Sequence, residues 1–255
     1  MISVLIPTRS RVAQTLDIIK TTYALADYPD EVEMILRVDD DDEEWMAQLD
    51  NAPRYPNLKM MIGPKMNGYG SLDVMSNEMA AVCNGDLIMT LGNDAWFLDK
   101  GWDSLYSKWK KDDIAIVQIQ INENNGKGTQ FPLMTRRTYE ILGHYCLHPS
   151  IDDYVSWVGV RAGCHYYSDV RVKHDHTDGD YVSIEKELRV SGEYDGSVGI
   201  RRSFWTLGVQ RMIAHYSNEL LRAQGVEGTD EELRDLGDRN LVEFYGWDFF
   251  PWSWS

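Results

Sequence analysis

Five short stretches of this chain carry side chains that could handle a phosphorylated ligand. Gly92-Asn93-Asp94 closes an apolar run over residues 87–91. A carboxylate there can hold a divalent metal, and a metal bridging two phosphates offsets charge developing on a leaving diphosphate. Gly92 leaves room for a ribose, and Asn93 can hydrogen-bond it. Asp39 follows the apolar run 32–38 and opens Asp39-Asp40-Asp41-Asp42; its carboxylate can accept hydrogen bonds from a base or ribose. Asp152-Asp153 could supply a general base for an acceptor hydroxyl, since adjacent like charges can raise one pKa. His174-Asp175-His176 ends a strand-like segment, where residues two apart share a face. Both imidazoles could then ligate a metal such as Mn2+. Asn67-Gly68-Tyr69-Gly70-Ser71 precedes a helical pattern. Gly68 and Gly70 let backbone pass close to a ligand, a helix N-terminus favours anions, and Lys65 adds a cation for a phosphate.

Each stretch also has a plainer reading. Gly, Asn and Asp are the usual residues of a strand-to-loop turn. Asp41, Asp42, Glu43 and Glu44 suit a solvated acidic start to a helix, and either Asp152 or Asp153 could be an N-cap. Spacing alone leaves these alternatives open. The elements that carry the residues weigh on the choice.

The first half alternates strand and helix. Residues 2–6 form a strand-like run ended by Pro7-Thr8-Arg9, and Val12, Leu16, Ile19 and Tyr23 mark one helical face with Ser10 as candidate N-cap. Runs 32–38, 58–62 and 87–91 read as further strands, and Leu72, Met75, Met79 and Val82 as a second helical face. Such alternation implies βαβ units and a mostly parallel sheet flanked by helices. Four strand ends then converge on one edge: Pro7-Thr8-Arg9, residues 39–42, Gly63-Pro64-Lys65 and Gly92-Asn93-Asp94. Open α/β sheets bind ligands outside the carboxyl ends of their strands. Past residue 113 the pattern changes. Residues 114–121, 131–135 and 165–173 read as strands, 122–128 as a Gly/Asn-rich loop and 151–162 as a helix. Trp205, Val209, Met212, Tyr216 and Leu220 keep helical spacing, residues 227–238 read as a solvated acidic helix, and the tail from 244 holds Trp247, Trp252 and Trp254.

Composition narrows the classes. A chain of 255 residues, 43% apolar, suits one large domain with a modest extension. No run approaches the roughly 20 apolar residues of a membrane span, and the N-terminal stretch is too short for a signal peptide. Cys83, Cys146 and Cys164 show no CxxC spacing, so reduced thiols in a cytoplasmic protein are expected. With 41 acidic against 25 basic residues the net charge is −16, which disfavours extended nucleic-acid binding.

Taken in order, these motifs resemble the GT-A nucleotide-sugar glycosyltransferases, especially their inverting family 2. "SVLIPTRSR" resembles that family's opening strand, whose loop touches the base. "ILRVDDD" is similar to its second strand, with Asp39 as base reader. "NGYGSLDVMSNEMAAVCNGDLIMTLGND" is similar to its Asn/Gly loop, helix and strand entering the DxD motif. "IDDYVSWVGVRAG" resembles the acidic pair and helix of the acceptor half, and "VKHDH" the place of a metal-binding histidine. The resemblance covers roughly residues 1–180. It departs at Gly92, where the family keeps the first acid of DxD, and at Asp152-Asp153, where Glu-Asp is usual.

The resemblance implies an α/β fold of GT-A, Rossmann-like type spanning residues 1–200. A nucleotide-binding half would cover 1–112 and an acceptor half 113–200, followed by a helical, aromatic-rich extension over 201–255. It implies Mn2+ or Mg2+ held by Asp94 with His174 (preferred) or His176. It implies a nucleoside-diphosphate sugar, a UDP-sugar weakly preferred, held by Pro7, Thr8, Arg9, Asp39, Lys65, Gly70, Gly92 and Asn93. Asp153, beside Asp152, would be the base of a single inverting displacement. The acceptor could be a glycan, a lipid-linked sugar, a small molecule or a modified base, with Arg136-Arg137 and Arg201-Arg202 as docking points for an anionic one. The extension would pack on the domain or serve self-association into a homo-oligomer. Three other readings compete: a nucleotidyltransferase, disfavoured by the lack of a Gly-rich basic first loop, a non-catalytic nucleotide or sugar binder on a degenerate scaffold, and a binding or assembly protein that uses its aromatic tail.

Overall fold

A computed structural model describes residues 1–49, 54–121, 130–175, 204 and 206–245. Expectations for His176, Arg201, Arg202, Trp205, the 122–128 loop and the tail tryptophans fall outside them. The strands are β1 (Ile2–Thr8), β2 (Val32–Asp39), β3 (Leu58–Gly63), β4 (Leu87–Thr90), β5 (Ala95–Phe97), β6 (Ile116–Ile121), β7 (Pro132–Thr135) and β8 (His165–His174). The helices are α1 (Val12–Leu25), α2 (Glu43–Gln48), α3 (Leu72–Val82), α4 (Leu105–Lys108), α5 (Arg136–Leu142), α6 (Ile151–Arg161), α7 (Leu207–Ala223) and α8 (Asp230–Tyr245).

One eight-stranded sheet runs β3-β2-β1-β4-β7-β6-β8-β5. Strands β3, β2, β1 and β4 are mutually parallel, and β6 is parallel to β8. The three antiparallel ladders all involve β7 or β5. Helices cover both faces, which is why every residue of β2 is buried, Glu33 and Arg37 included. Chain order leaves β1 in one direction to β2 and returns to β4 on its other side, so the switch point lies between β1 and β4. β5 lies antiparallel to β8 with Ala95 opposite His174. That pairing brings the segment that follows β4 against the end of β8.

Two apolar layers sandwich the sheet. One side gathers α1, Trp45, Phe97 and Trp102; the two last rings stack at 3.9 Å, and Trp102 Nε1 donates to Thr22 O at 2.9 Å. The other gathers α3, α5, α6, α7 and α8. The acidic segment expected to be a solvated helix is longer and only half solvated. α8 buries Leu233, Gly237 and Leu241, and Asp238 pairs with the buried Arg161 of α6. Its four-residue spacing puts those small and apolar positions on one face. Two local expectations are corrected. The residue before α1 is Arg11, not Ser10, and it makes no side-chain cap. The N-cap of α6 is Ser150, so Asp152 and Asp153 occupy the first turn instead. No helix among the described residues is long and apolar enough to cross a membrane.

Candidate active site

The loop after β1 is held in an unusual shape. Ser10 and Arg11 both have positive φ, 55° and 51°, a region costly for residues with a side chain. Asp42 stabilises it. One carboxylate oxygen accepts from Ser10 N at 2.6 Å, while the other accepts from Trp45 N at 3.2 Å as the N-cap of α2. The buried Trp45 donates its Nε1 to Ser10 O at 3.1 Å. Asp42 therefore caps its helix, as the sequence suggests, and also sets the β1 loop. Pro7 lies within the ladder opposite Arg37. Thr8 Oγ1 meets Thr15 Oγ1 at 3.2 Å and accepts from Asn93 Nδ2 at 3.2 Å, so the ends of β1 and β4 are tied together.

Asp39 is buried at the end of β2, and protein donors already engage both its oxygens. Arg9 Nη1 donates to Oδ2 at 2.9 Å; Arg37 Nη1 and Met66 N donate to Oδ1 at 3.2 and 3.3 Å. Arg9 also grips Asp41, which raises its own pKa and holds the exposed Asp41 carboxyl down at about 2. Lys65 is placed on Asp41 at 3.4 Å, in this acidic cluster. Arg37 is enclosed by Glu78, Asp39 and the carbonyls of Val38, Gly63 and Pro64. A Cβ at Gly63 would stand 2.6 Å from Arg37 Nη2, so that glycine makes room for the guanidinium. Gly70 lies in the 3-10 turn Gly68–Ser71 before α3, against Asn67.

A second cluster forms around Asp94. Its Oδ1 is 3.2 Å from His174 Nε2, and its Oδ2 is 3.4 Å from Arg11 Nη1. The β5–β8 pairing continues through Asp175 N to Asp94 O at 2.9 Å, which fixes both residues. The opposite ring nitrogen, His174 Nδ1, lies 2.9 Å from Gln130 Oε1. With that nitrogen donating, Nε2 presents a lone pair to a carboxylate oxygen, an arrangement a shared cation satisfies. Gly92 is explained by the same geometry: a Cβ there would collide with Asp94 Oδ1.

Asp152 completes the cluster. Its Oδ1 accepts from Phe131 N at 3.0 Å, while the Phe131 ring meets the His174 ring edge-on at 5.0 Å. Phe131 itself has φ 54°, a third strained residue at the site after Ser10 and Arg11. Burial, and next the charge of Asp153, push the Asp152 carboxyl up to about 7, with His174 acting in the opposite sense. Contacts thus link Asp94, His174 and Asp152, and Asn93 ties Thr8 to them, with the cluster of Arg9, Asp39 and Lys65 following Thr8 along the chain. Reading the sequence missed Arg11, Gln130 and Phe131. Among these, only the adjacency of 130–131 to a strand start offered a signal.

The donor set fits a divalent cation. Two cis ligands of an octahedral ion at about 2.1 Å lie about 3 Å apart, close to the 3.2 Å between Asp94 and His174. A carboxylate suits magnesium or manganese, and an imidazole beside it moves the preference toward a transition metal. Among the described residues no group of three His, Cys, Asp or Glu side chains could hold a metal. Substrate oxygens and water would supply the remaining ligands.

The family model described as "Glycosyl transferase family 2" matches residues 3–161. Three solved structures share the fold at low identity. S. aureus TarS residues 1–349 with UDP-GlcNAc has a TM-score of 0.62 at 12% identity, over 95% of this chain and 71% of that one. The mannosyltransferase PcManGT from Pyrobaculum calidifontis, with GDP-Man and Mn2+, has 0.56 at 12%, over 98% and 88%. GalNAc-T7 with UDP, GalNAc and Mn2+ has 0.56 at 12%, over 94% and 54%. No curated protein matches the sequence significantly.

Proposed function

The chain belongs to glycosyl transferase family 2 and has the GT-A fold; from that premise we propose that it moves a sugar from a nucleoside-diphosphate sugar to an acceptor hydroxyl, with inversion and with a divalent metal. The observation that carries this reading is the Asp94–His174 pair at 3.2 Å, with the Asp152 carboxylate joined to the same cluster through Phe131 and Asp153 next to it in the first turn of α6. Asp94 and His174 would hold the metal, which when bound offsets the charge that develops on the departing diphosphate. The solved relatives with Mn2+ and with UDP- or GDP-sugars support that donor class. Asn93 and Thr8 would meet the ribose at the β1–β4 switch point. Asp39 would read the base, which requires Arg9 to yield Oδ2 and swing onto Asp41.

Within the acidic pair the roles divide. Asp152, held up at about 7, keeps its proton in neutral solution more readily than an ordinary carboxyl. That leaves Asp153 as the carboxylate that accepts the acceptor's proton. The hydroxyl oxygen then attacks the anomeric carbon from the face opposite the diphosphate, and the C–O bond to the diphosphate breaks. Incubation with a panel of UDP- and GDP-sugars and Mn2+ tests the reading. Release of nucleoside diphosphate is expected, and an inverted anomeric centre in the product by NMR. Pyrophosphate release would instead indicate a nucleotidyltransferase, and no binding or turnover of any nucleotide sugar would overturn the proposal.

A further inference from the structure

The cations at the sheet edge differ in how fully they are used. Arg9 grips Asp41 through two nitrogens and Asp39 through one, and Arg37 is enclosed by five protein oxygens. The Arg11 guanidinium makes one polar contact among the described residues, a long 3.4 Å reach to Asp94 Oδ2, although the side chain is only 11% exposed. A guanidinium carries five N–H donors, and partly desolvated donors without acceptors are costly. The backbone under this side chain is strained as well, with φ 51° and ψ 36° at Arg11 and φ 55° at Ser10. Asp42 and Trp45 hold that shape from α2. Strain maintained by a neighbouring helix thus aims at the Asp94 carboxylate a guanidinium with donors to spare among the described residues, a placement suited to an incoming anion.

We propose that Arg11 binds the diphosphate of the donor, leaving Asp94 for a phosphate oxygen when the nucleotide enters. The inference rests on the donor class proposed above. Guanidinium donors in a planar fork match two phosphate oxygens, and a diphosphate offers them a second phosphoryl group and more charge than a monophosphate. Until that exchange, Arg11 competes with a metal for Asp94. Its placement also offsets Gly92. A site with one carboxylate fewer draws a metal–diphosphate less strongly, and a fixed cation restores part of that attraction.

The test compares the unchanged protein with Arg11→Gln and Arg11→Lys, using UDP, UMP, GDP and GMP with Mn2+ in calorimetry and Mn2+ alone in electron paramagnetic resonance. Arg11→Gln is expected to weaken the bound diphosphate about 10- to 100-fold while changing the monophosphate less than about 3-fold. Arg11→Lys should recover part of the loss. Affinity for Mn2+ alone should stay level or rise in Arg11→Gln, an outcome that general damage to the loop would not give. Equal losses for di- and monophosphates, or no loss for either, would overturn the assignment. If the unchanged protein binds neither UDP nor GDP, the donor reading fails, independently of Arg11.

Discussion

Asp152→Asn isolates the energetic cost of a half-buried acid. Asp152 lies in the first turn of α6, accepts from Phe131 N and stands beside Asp153 and His174. Its carboxyl ionises at about 7 in the folded chain against an ordinary 3.8. Because the folded value is raised, the native state binds more protons than the unfolded state between those limits. The stability contributed by this group is therefore full below about pH 4 and is lost as pH climbs toward 7. At about 1.4 kcal/mol per pH unit, an interval of about 3 units sets a ceiling of about 4 kcal/mol. Partial solvent access and the nearby imidazole reduce the expected loss to about 1–3 kcal/mol. Asparagine keeps an oxygen for the Phe131 N–H but has no charge to desolvate. Urea unfolding of both proteins in a chelator, at intervals from pH 4 to 9, should show the variant gaining on the unchanged chain up to pH 7 and a plateau above. A difference that is flat with pH, or that shrinks as pH rises, would refute the assignment of a raised pKa to Asp152.

Other substitutions separate chemistry from scaffold. Asp153→Asn should lower sugar transfer about 100-fold or more while leaving nucleotide affinity, by calorimetry, within about 3-fold; full transfer activity would remove Asp153 as the base. Gly92→Ala forces Asp94 to rotate away from His174 because of the collision at Oδ1. It should change stability in urea unfolding by less than about 1 kcal/mol, because the carboxylate that must move is the free end of a side chain, and weaken Mn2+ binding measured by paramagnetic resonance. Trp102→Ala empties a fully buried site on the apolar side of the sheet, losing the stack on Phe97 and the bond to Thr22 O. A loss of about 3–5 kcal/mol is expected, with KM unchanged at a temperature where the variant remains folded.

What the sequence conveyed was local, and what it hid was pairing. The strands β1 to β4 and the polar segments that end them are legible because buried parallel strands read as short apolar runs, and turns and helix starts select Asp, Gly and Asn. β5 is three residues long, too short for any periodicity, yet its pairing with β8 is what places Asp94 on His174. Asp39 looked available to a base because nothing in a strand end announces that Arg9 and Arg37 will converge on it. Gly92 looked like a lost acid. In three dimensions it is also the position that lets Asp94 turn back toward the histidine, so restoring an acid there would cost the arrangement that the remaining acid uses. The strain at Ser10, Arg11 and Phe131 was equally hidden, since none is glycine and each conformation is imposed by tertiary context. Those strained positions flank the Asp94 cluster from both sides: Arg11 reaches its second oxygen, and Phe131 joins Asp152 to His174. The site is therefore built less from one acidic motif than from two strained loops and an antiparallel strand pair acting on a single carboxylate.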